Sequence, residues 1–294
     1  MEKQKIGFVG LGLMGQEMAK NLLSEGFEVI GFDIDQGRVD GIFDAGGEGI
    51  DAPERLAERV DVVILSLPNS HVVDEVVVNS LKLFETGRKG LILIDMTTAD
   101  PFMSETLADR LREKEMEMLD ATISGGPKMI RTKEITLMVG GKGPVFQACE
   151  SIFDALSQQV FYVGKNGSGA LMKLMVNLVG GLSRMVLAEA LALSKKAGLD
   201  QHRLLEVLKN SSHFSKAMET KGLSMVEENF TPPKGKLAFH LKDVRLMLDL
   251  GKRFNFPLPL SSLHAQALTS LVAKGRGEWD NTAIISFYKD LGNL

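Results

Sequence analysis

Lys5-Ile-Gly-Phe-Val9 is a short apolar run, and beyond it apolar residues recur at Leu13, Met14, Met18, Ala19, Leu22 and Leu23, the spacing of one helix face. The period thus changes from strand to helix across Gly10-Leu-Gly12-Leu-Met-Gly15. The same alternation continues to about residue 163, with strand-like runs at 6–9, 28–32, 62–67, 91–94, 116–119, 136–139 and 160–163 and helical patterns between them. Alternation of this kind predicts an α/β fold, a doubly wound and mostly parallel sheet with helices on both faces. Ligands of such sheets sit beyond the carboxyl ends of the strands. Leu67-Pro68-Asn69, Asp95-Met-Thr97-Thr98 and Asp120-Ala-Thr-Ile-Ser124-Gly125-Gly126 are the expected rim residues.

After Gly164-Lys-Asn-Gly167-Ser-Gly169 the strand signal stops, and helical patterns run on with breaks at Gly198, Ser211-Ser212, Pro232-Pro233 and Pro257. Two domains are expected, 1–164 with the sheet and 165–294 all-helical. The first helix of the second domain, 168–197, would be on the order of 45 Å long, a connector between domains. Leu171, Met172, Leu174, Met175, Val176, Leu178, Val179 and Leu182 leave it almost no polar face. Burial against another subunit would satisfy that face, so a homodimer or homotetramer through the helical part is expected.

The glycine turn has a chemical reading. Gly10 permits a tight turn, Gly12 removes a Cβ that would block phosphates, and Gly15 lets helix and strand pack closely, so a dinucleotide pyrophosphate would meet free N–H groups at the helix start. The second strand ends at Asp33, eighteen positions after Gly15, near the spacing of about 20 for a ribose-binding acid. A carboxylate there accepts from ribose hydroxyls and repels a 2′-phosphate, which favours NAD over NADP. A glycine-rich turn in an unrelated α/β protein is the alternative.

Composition narrows the partners. The chain has 294 residues, a formal charge of −4 and interleaved acids and bases, so no basic face for nucleic acid or anionic lipid stands out and a small molecule is the expected partner. No run reaches about eighteen uncharged apolar residues, so no membrane span is expected. The charged start enters the first strand by residue 6, leaving no room for a targeting peptide. A single cysteine, Cys149, cannot form an internal disulfide and reads as a core residue. A cytoplasmic protein is expected.

Lys173 and Asn177 are the strongly polar residues between Ala170 and Leu182, and their i, i+4 spacing puts them on one side of the helix, continued by Gly180, Gly181 and Arg184. A buried lone ammonium is costly, so the stripe should face a cleft, a ligand or water. Lys173 fits the group that takes a hydroxyl proton during hydride transfer, because partial burial lowers an ammonium pKa towards neutrality; a snorkelling lysine is the plainer reading. Ser124-Gly125-Gly126 offers a hydroxyl and bare backbone N–H groups, a small nest for a substrate carboxylate, or else an ordinary tight turn. Lys128, Arg131 and Lys133 follow it, and one of them, Arg131 foremost, could hold a second anionic group; a solvated basic helix is the alternative. The five histidines show no local pairing with a carboxylate, His213 lies in a polar loop and is a substrate-loop candidate, and no cluster has metal-ligand spacing.

Taken together these motifs resemble the β-hydroxyacid dehydrogenase family, which includes 3-hydroxyisobutyrate dehydrogenases and tartronate, succinic and glyoxylate semialdehyde reductases. The likeness covers nearly the whole chain. Gly10-Leu-Gly12-Leu13-Met14-Gly15 resembles the opening fingerprint, and Asp33 stands where NAD-using members carry an acid. Leu67-Pro68 and Asp95-Met-Thr97-Thr98 resemble the cofactor-contacting turns, Asp120 to Gly126 the substrate motif, Gly167-Ser-Gly169 with Lys173 and Asn177 the catalytic segment, and Lys242-Asp243-Val the late motif near the nicotinamide. The resemblance implies a Rossmann-type domain followed by an all-helical C-terminal domain, and reversible oxidation of a small 3- or 4-hydroxy acid to its semialdehyde. In it Lys173 is the general acid/base, Asn177 orients it, and Ser124, Gly125 and Gly126 hold the carboxylate. Thr122 departs from the usual proline, Val176 from the first of two asparagines, and Met129, Ile130 and Lys133 from small residues. A 6-phosphogluconate dehydrogenase, an imine reductase and a catalytically silent NAD-binding module are rivals. The first is longer and the second usually lacks the lysine.

Overall fold

The structure, a computed structural model, describes residues 3–294, so the charged start at Met1 and Glu2 lies outside it. Eight strands form one sheet: β1 (Ile6–Val9), β2 (Val29–Phe32), β3 (Glu48–Gly49), β4 (Val62–Leu65), β5 (Ile92–Asp95), β6 (Glu117–Ser124), β7 (Thr136–Gly141) and β8 (Gln159–Gly164). Their order is β3-β2-β1-β4-β5-β6-β7-β8. Every pair is parallel except β6 with β7. The order reverses between β1 and β4, which makes the ends of those strands the place for a ligand.

The central strands β1, β4 and β5 are buried along their whole length because both faces of the sheet are covered there. Ile6, Phe8, Val62, Ile64, Ile92 and Ile94 enter one core with Met18 and Leu22 of the first helix. Their neighbours Val9, Val63, Leu65 and Leu93 enter a second core with Leu56, Val77, Leu107 and Leu111. Cys149 belongs to the first core, where burial pushes its thiol up to about 12 and leaves it unreactive.

Two details differ from the sequence expectation. The edge strand β3 is two residues long, one of them charged, and carries no apolar pattern to read. The strand expected at 116–119 continues to Ser124. Its polar residues are accommodated because Asp120 and Thr122 find buried hydrogen-bond partners on the segment that follows β8.

The remaining chain is helical: Ser168–Lys196, Gln201–Lys209, Lys216–Val226, Leu237–Arg253, Pro259–Ala273 and Ile285–Gly292, with a short 3-10 turn at Asn281–Ile284. Leu174, Leu187, Leu191, Leu241, Val244, Leu268 and Leu271 are among the residues of a third core. By its packing the chain divides into one unit through Lys173 and another from Leu174 to Leu294. The division falls inside the long helix, whose first turn is hydrogen-bonded to β6. That helix is long and apolar enough, by length and composition, to cross a membrane, although Lys173 and Arg184 interrupt it and it holds no run of eighteen uncharged residues. Met172, Val179, Val186 and Leu193, seven residues apart, form an exposed apolar stripe along it.

Candidate active site

Gly10 and Gly15 are required by the protein's own packing. Gly10 has φ +90°, and a Cβ there would lie 2.3 Å from the Ser66 carbonyl oxygen; one on Gly15 would lie 2.0 Å from the Gly10 carbonyl oxygen. Gly12 is different. Its backbone is extended (φ −65°, ψ −170°), it begins the helix Leu13–Ser24 without a side-chain cap, and the nearest atom to an added Cβ is Arg38 Nη1 at 3.9 Å. Nothing inside the protein requires glycine at that place. A helix start with uncapped N–H groups beneath open space is what a dinucleotide pyrophosphate needs, so the residues present fit such a group. Leu13 is exposed beside it and Met14 packs on the core.

Asp33 directly follows β2 and folds back over this turn. Its carboxylate accepts from the Leu11 N–H at 2.7 Å and the Asp35 N–H at 2.9 Å. Arg38 Nη1 stands 3.5 Å from Asp33, and Arg38 Nε 3.3 Å from Asp35. Sequence reading found the acid and missed the cation, because Arg38 lies on the next helix, Gln36–Phe43, with no motif to mark it. On the other side of the switch point, Thr97 Oγ1 accepts from the Leu67 N–H at 3.1 Å, and the Asp100 N–H donates to Ser70 Oγ at 2.7 Å. These bonds fix the Leu67-Pro68 and Thr97-Thr98 turns against each other; Pro68 is exposed and Thr98 half-buried.

The third group lies at the end of β6. Ser124 is its last residue, Gly125 has φ +146° with Ile135 filling the space of a side chain, and Gly126 opens to free space. Lys128 is exposed there. Arg131, expected to hold a second anionic group, is instead clamped by two bonds to Glu17 at 2.6 and 3.0 Å, and Lys133 meets Glu25 at 2.5 Å. Glu17 lies on the helix Leu13–Ser24 and Glu25 caps its C-terminus, a pairing between segments more than a hundred residues apart that sequence could not reveal.

Asp120 is 1% exposed, and its two oxygens accept from the N–H groups of Gly167 at 2.8 Å and Ala170 at 2.9 Å. Burial pushes its carboxyl up to about 6 against the opposing pull of those amides. Lys173 follows one turn later, half-buried.

Within the helical unit, Asn177 Nδ2 donates to Asp243 Oδ2 at 2.9 Å, and Lys242 Nζ lies 3.1 Å from Asp243 Oδ1. Asp243, quoted from sequence only as part of a motif, is thus the partner of both. Further along, Arg184 meets His240 Nε2 at 2.8 Å beneath Gly181, and burial and then Arg184 push the neighbouring His264 down to about 4. His213 is exposed in its loop. Among the described residues no group of three His, Cys, Asp or Glu side chains is placed to hold a metal.

A doubly wound sheet with a glycine turn, an acid just after β2 and a fixed pair of turns across the switch point is the arrangement of a dinucleotide-binding domain. The comparisons agree. Residues 5–164 match the NAD binding domain of 6-phosphogluconate dehydrogenase, and 167–288 the NAD-binding region of NADP-dependent 3-hydroxyisobutyrate dehydrogenase. The chain is 32% identical to 2-(hydroxymethyl)glutarate dehydrogenase of Eubacterium barkeri, over 99% of this chain and 97% of that one. It is 29% identical to 2-hydroxy-3-oxopropionate reductase of Escherichia coli K12, over 98% of each. A crystal structure of 3-hydroxyisobutyrate dehydrogenase from Salmonella typhimurium superposes with a TM-score of 0.88 at 26% identity, covering 97% of this chain and 99% of that one. The chain belongs to the β-hydroxyacid dehydrogenase family. It is an NAD(P)-dependent oxidoreductase that interconverts a hydroxy acid and its carbonyl form.

Proposed function

We propose that the protein uses NAD and converts a small hydroxy acid to its semialdehyde, and back, with Lys173 as the proton-transferring group. The observation that carries the reading is the placement of Lys173 in the unit that holds the glycine turn, at the first turns of a helix hydrogen-bonded to β6, the strand that ends in Ser124-Gly125-Gly126. When bound, the nicotinamide supplies or accepts the hydride. Ser124 Oγ and the bare backbone beside it hold the substrate carboxylate. Lys173 takes the hydroxyl proton on oxidation and returns it on reduction. Asn177, one helical turn further on and tied to Asp243, orients the reacting oxygen.

Asp33 supports NAD: its two oxygens already take backbone N–H groups, and its charge opposes a 2′-phosphate. For a second anionic group, Lys128 is the remaining candidate of the basic trio, since Arg131 and Lys133 hold acids of the protein. The glutarate relative's name describes a substrate with two carboxylates, which supports looking for one here. The exposed apolar stripe on the long helix supports a homodimer or homotetramer, and the acidic net charge gives no reason to expect nucleic acid. A cytoplasmic location remains part of this proposal.

The test is the absorbance change of NADH or NADPH with a panel of semialdehydes carrying one or two carboxylates, in the wild type and Lys173→Ala. Turnover with NADH that is lost in the variant while NADH binding persists supports the reading. Undiminished turnover of the variant removes Lys173 from the chemistry.

A further inference from the structure

The start of the long helix rests on the sheet with almost no side-chain layer between. A Cβ added to Gly169 would lie 2.2 Å from the Asp120 carbonyl oxygen and 2.6 Å from that of Met138, and one on Gly140 would lie 2.7 Å from the Lys165 carbonyl oxygen. Alternate residues of β6 hold this segment, Met118 by its backbone carbonyl and Asp120 and Thr122 by side chains on one face. Asn166 Nδ2 donates to the Met118 carbonyl at 2.7 Å, the Asp120 carboxylate takes the Gly167 and Ala170 amides, and Thr122 Oγ1 donates to the Gly169 carbonyl at 2.8 Å. Thr122 is fully buried, and its hydroxyl also lies 3.4 Å from the Met138 carbonyl of β7. In an α-helix the carbonyl of residue i accepts the amide of i+4, so Gly169 is the carbonyl to which the Lys173 amide is bound.

We propose that Thr122 and Asp120 are positioning residues for Lys173, gripping the first turn of its helix by one carbonyl and two amides and so fixing where the ammonium sits. The inference rests on the proposed role of Lys173 and deepens it. Asp120 compensates orphan N–H groups at the helix start, as a cap does, but from the neighbouring strand rather than from the residue before the helix. Thr122 shares the carbonyl that also anchors the Lys173 backbone. A reacting ammonium displaced by even 1 Å loses much of its effectiveness, on the order of a hundredfold.

Thr122→Val removes the hydroxyl and keeps the shape, and Thr122→Ser restores the hydroxyl. Two readouts separate the anchor from its consequence. Amide hydrogen exchange over 167–173 should quicken in Thr122→Val and in Asp120→Asn, with the peptide over β1 and the glycine turn unchanged. Turnover number should fall about tenfold in Thr122→Val while KM for NADH stays within twofold, and Thr122→Ser should recover most of it. Unchanged exchange over 167–173 overturns the anchor. Faster exchange with turnover intact overturns the link to Lys173, as does a fall in turnover accompanied by an equal loss of NADH affinity, which marks general damage. Lys173→Ala is run alongside. If that variant keeps its turnover, the proton-transfer reading fails and the positioning claim with it, while the exchange data still decide whether Thr122 and Asp120 hold the helix.

Discussion

Alanine at Gly12 and alanine at Gly15 add the same methyl group to the same turn and should damage different things. At Gly15 the new Cβ lies 2.0 Å from the Gly10 carbonyl oxygen and 3.0 Å from its carbon, both backbone atoms that can move only with β1 and the turn. Overpacking of that kind costs about 1–3 kcal/mol or more. At Gly12 the nearest atom is 3.9 Å away and the φ/ψ suits any residue. Fewer unfolded conformations stabilise the variant by about 0.4–1 kcal/mol, while alanine as N-cap costs a similar amount, so folding stability should stay within about 1 kcal/mol of wild type. Binding should not. The methyl would hold a phosphate off the backbone N–H groups, and a hydrogen bond to a charged group is worth about 1.5–3 kcal/mol, which is a ten- to hundredfold weaker Kd. Urea unfolding of the ligand-free proteins, with NADH fluorescence titration of each, measures both quantities. A Gly12→Ala protein that binds NADH as wild type does, or that is destabilised as much as Gly15→Ala, refutes the assignment of this turn to the pyrophosphate.

Asp33→Ser should raise KM for NADH and lower KM for NADPH, because it removes the repelling carboxylate and leaves Arg38 beside the position of the 2′-phosphate; the ratio of the two KM values reads it directly. His264 is held down near 4 from its ordinary 6.5 by burial and Arg184, so the neutral form belongs to the folded state and the unfolded chain takes up the proton first. Stability from this group is therefore complete above about pH 6.5 and is lost as pH falls towards 4, by about 3 kcal/mol. Urea midpoints at pH 7.5, 5.5 and 4.5 should fall less steeply in His264→Phe than in wild type. Arg131→Ala should leave KM unchanged for every acidic substrate, since Glu17 already occupies its guanidinium, whereas Lys128→Ala should raise KM for substrates with two carboxylates and spare those with one.

The change of hydrophobic period across Gly10 to Gly15, repeated to about residue 163, determined the sheet and its helices, because a strand buried on both faces must be apolar throughout and a helix packed on one face must not. The same local rules located the glycine turn, Asp33 and the Lys173, Asn177 stripe, since phosphate approach and helix periodicity act over a few residues. What the tertiary structure decided are the pairings between distant segments. Arg38 came to Asp33 from another helix, Glu17 became the partner of Arg131, and Asp243 became the partner of Asn177. The extension of β6 through Asp120 and Thr122 has the same origin: polar residues that look like a strand's end remain inside it because the turn at 167–170 arrives to meet them. A side chain's hydrogen-bonding capacity is written in its type, but whether a partner exists within 3 Å depends on how the sheet and its following helix come together.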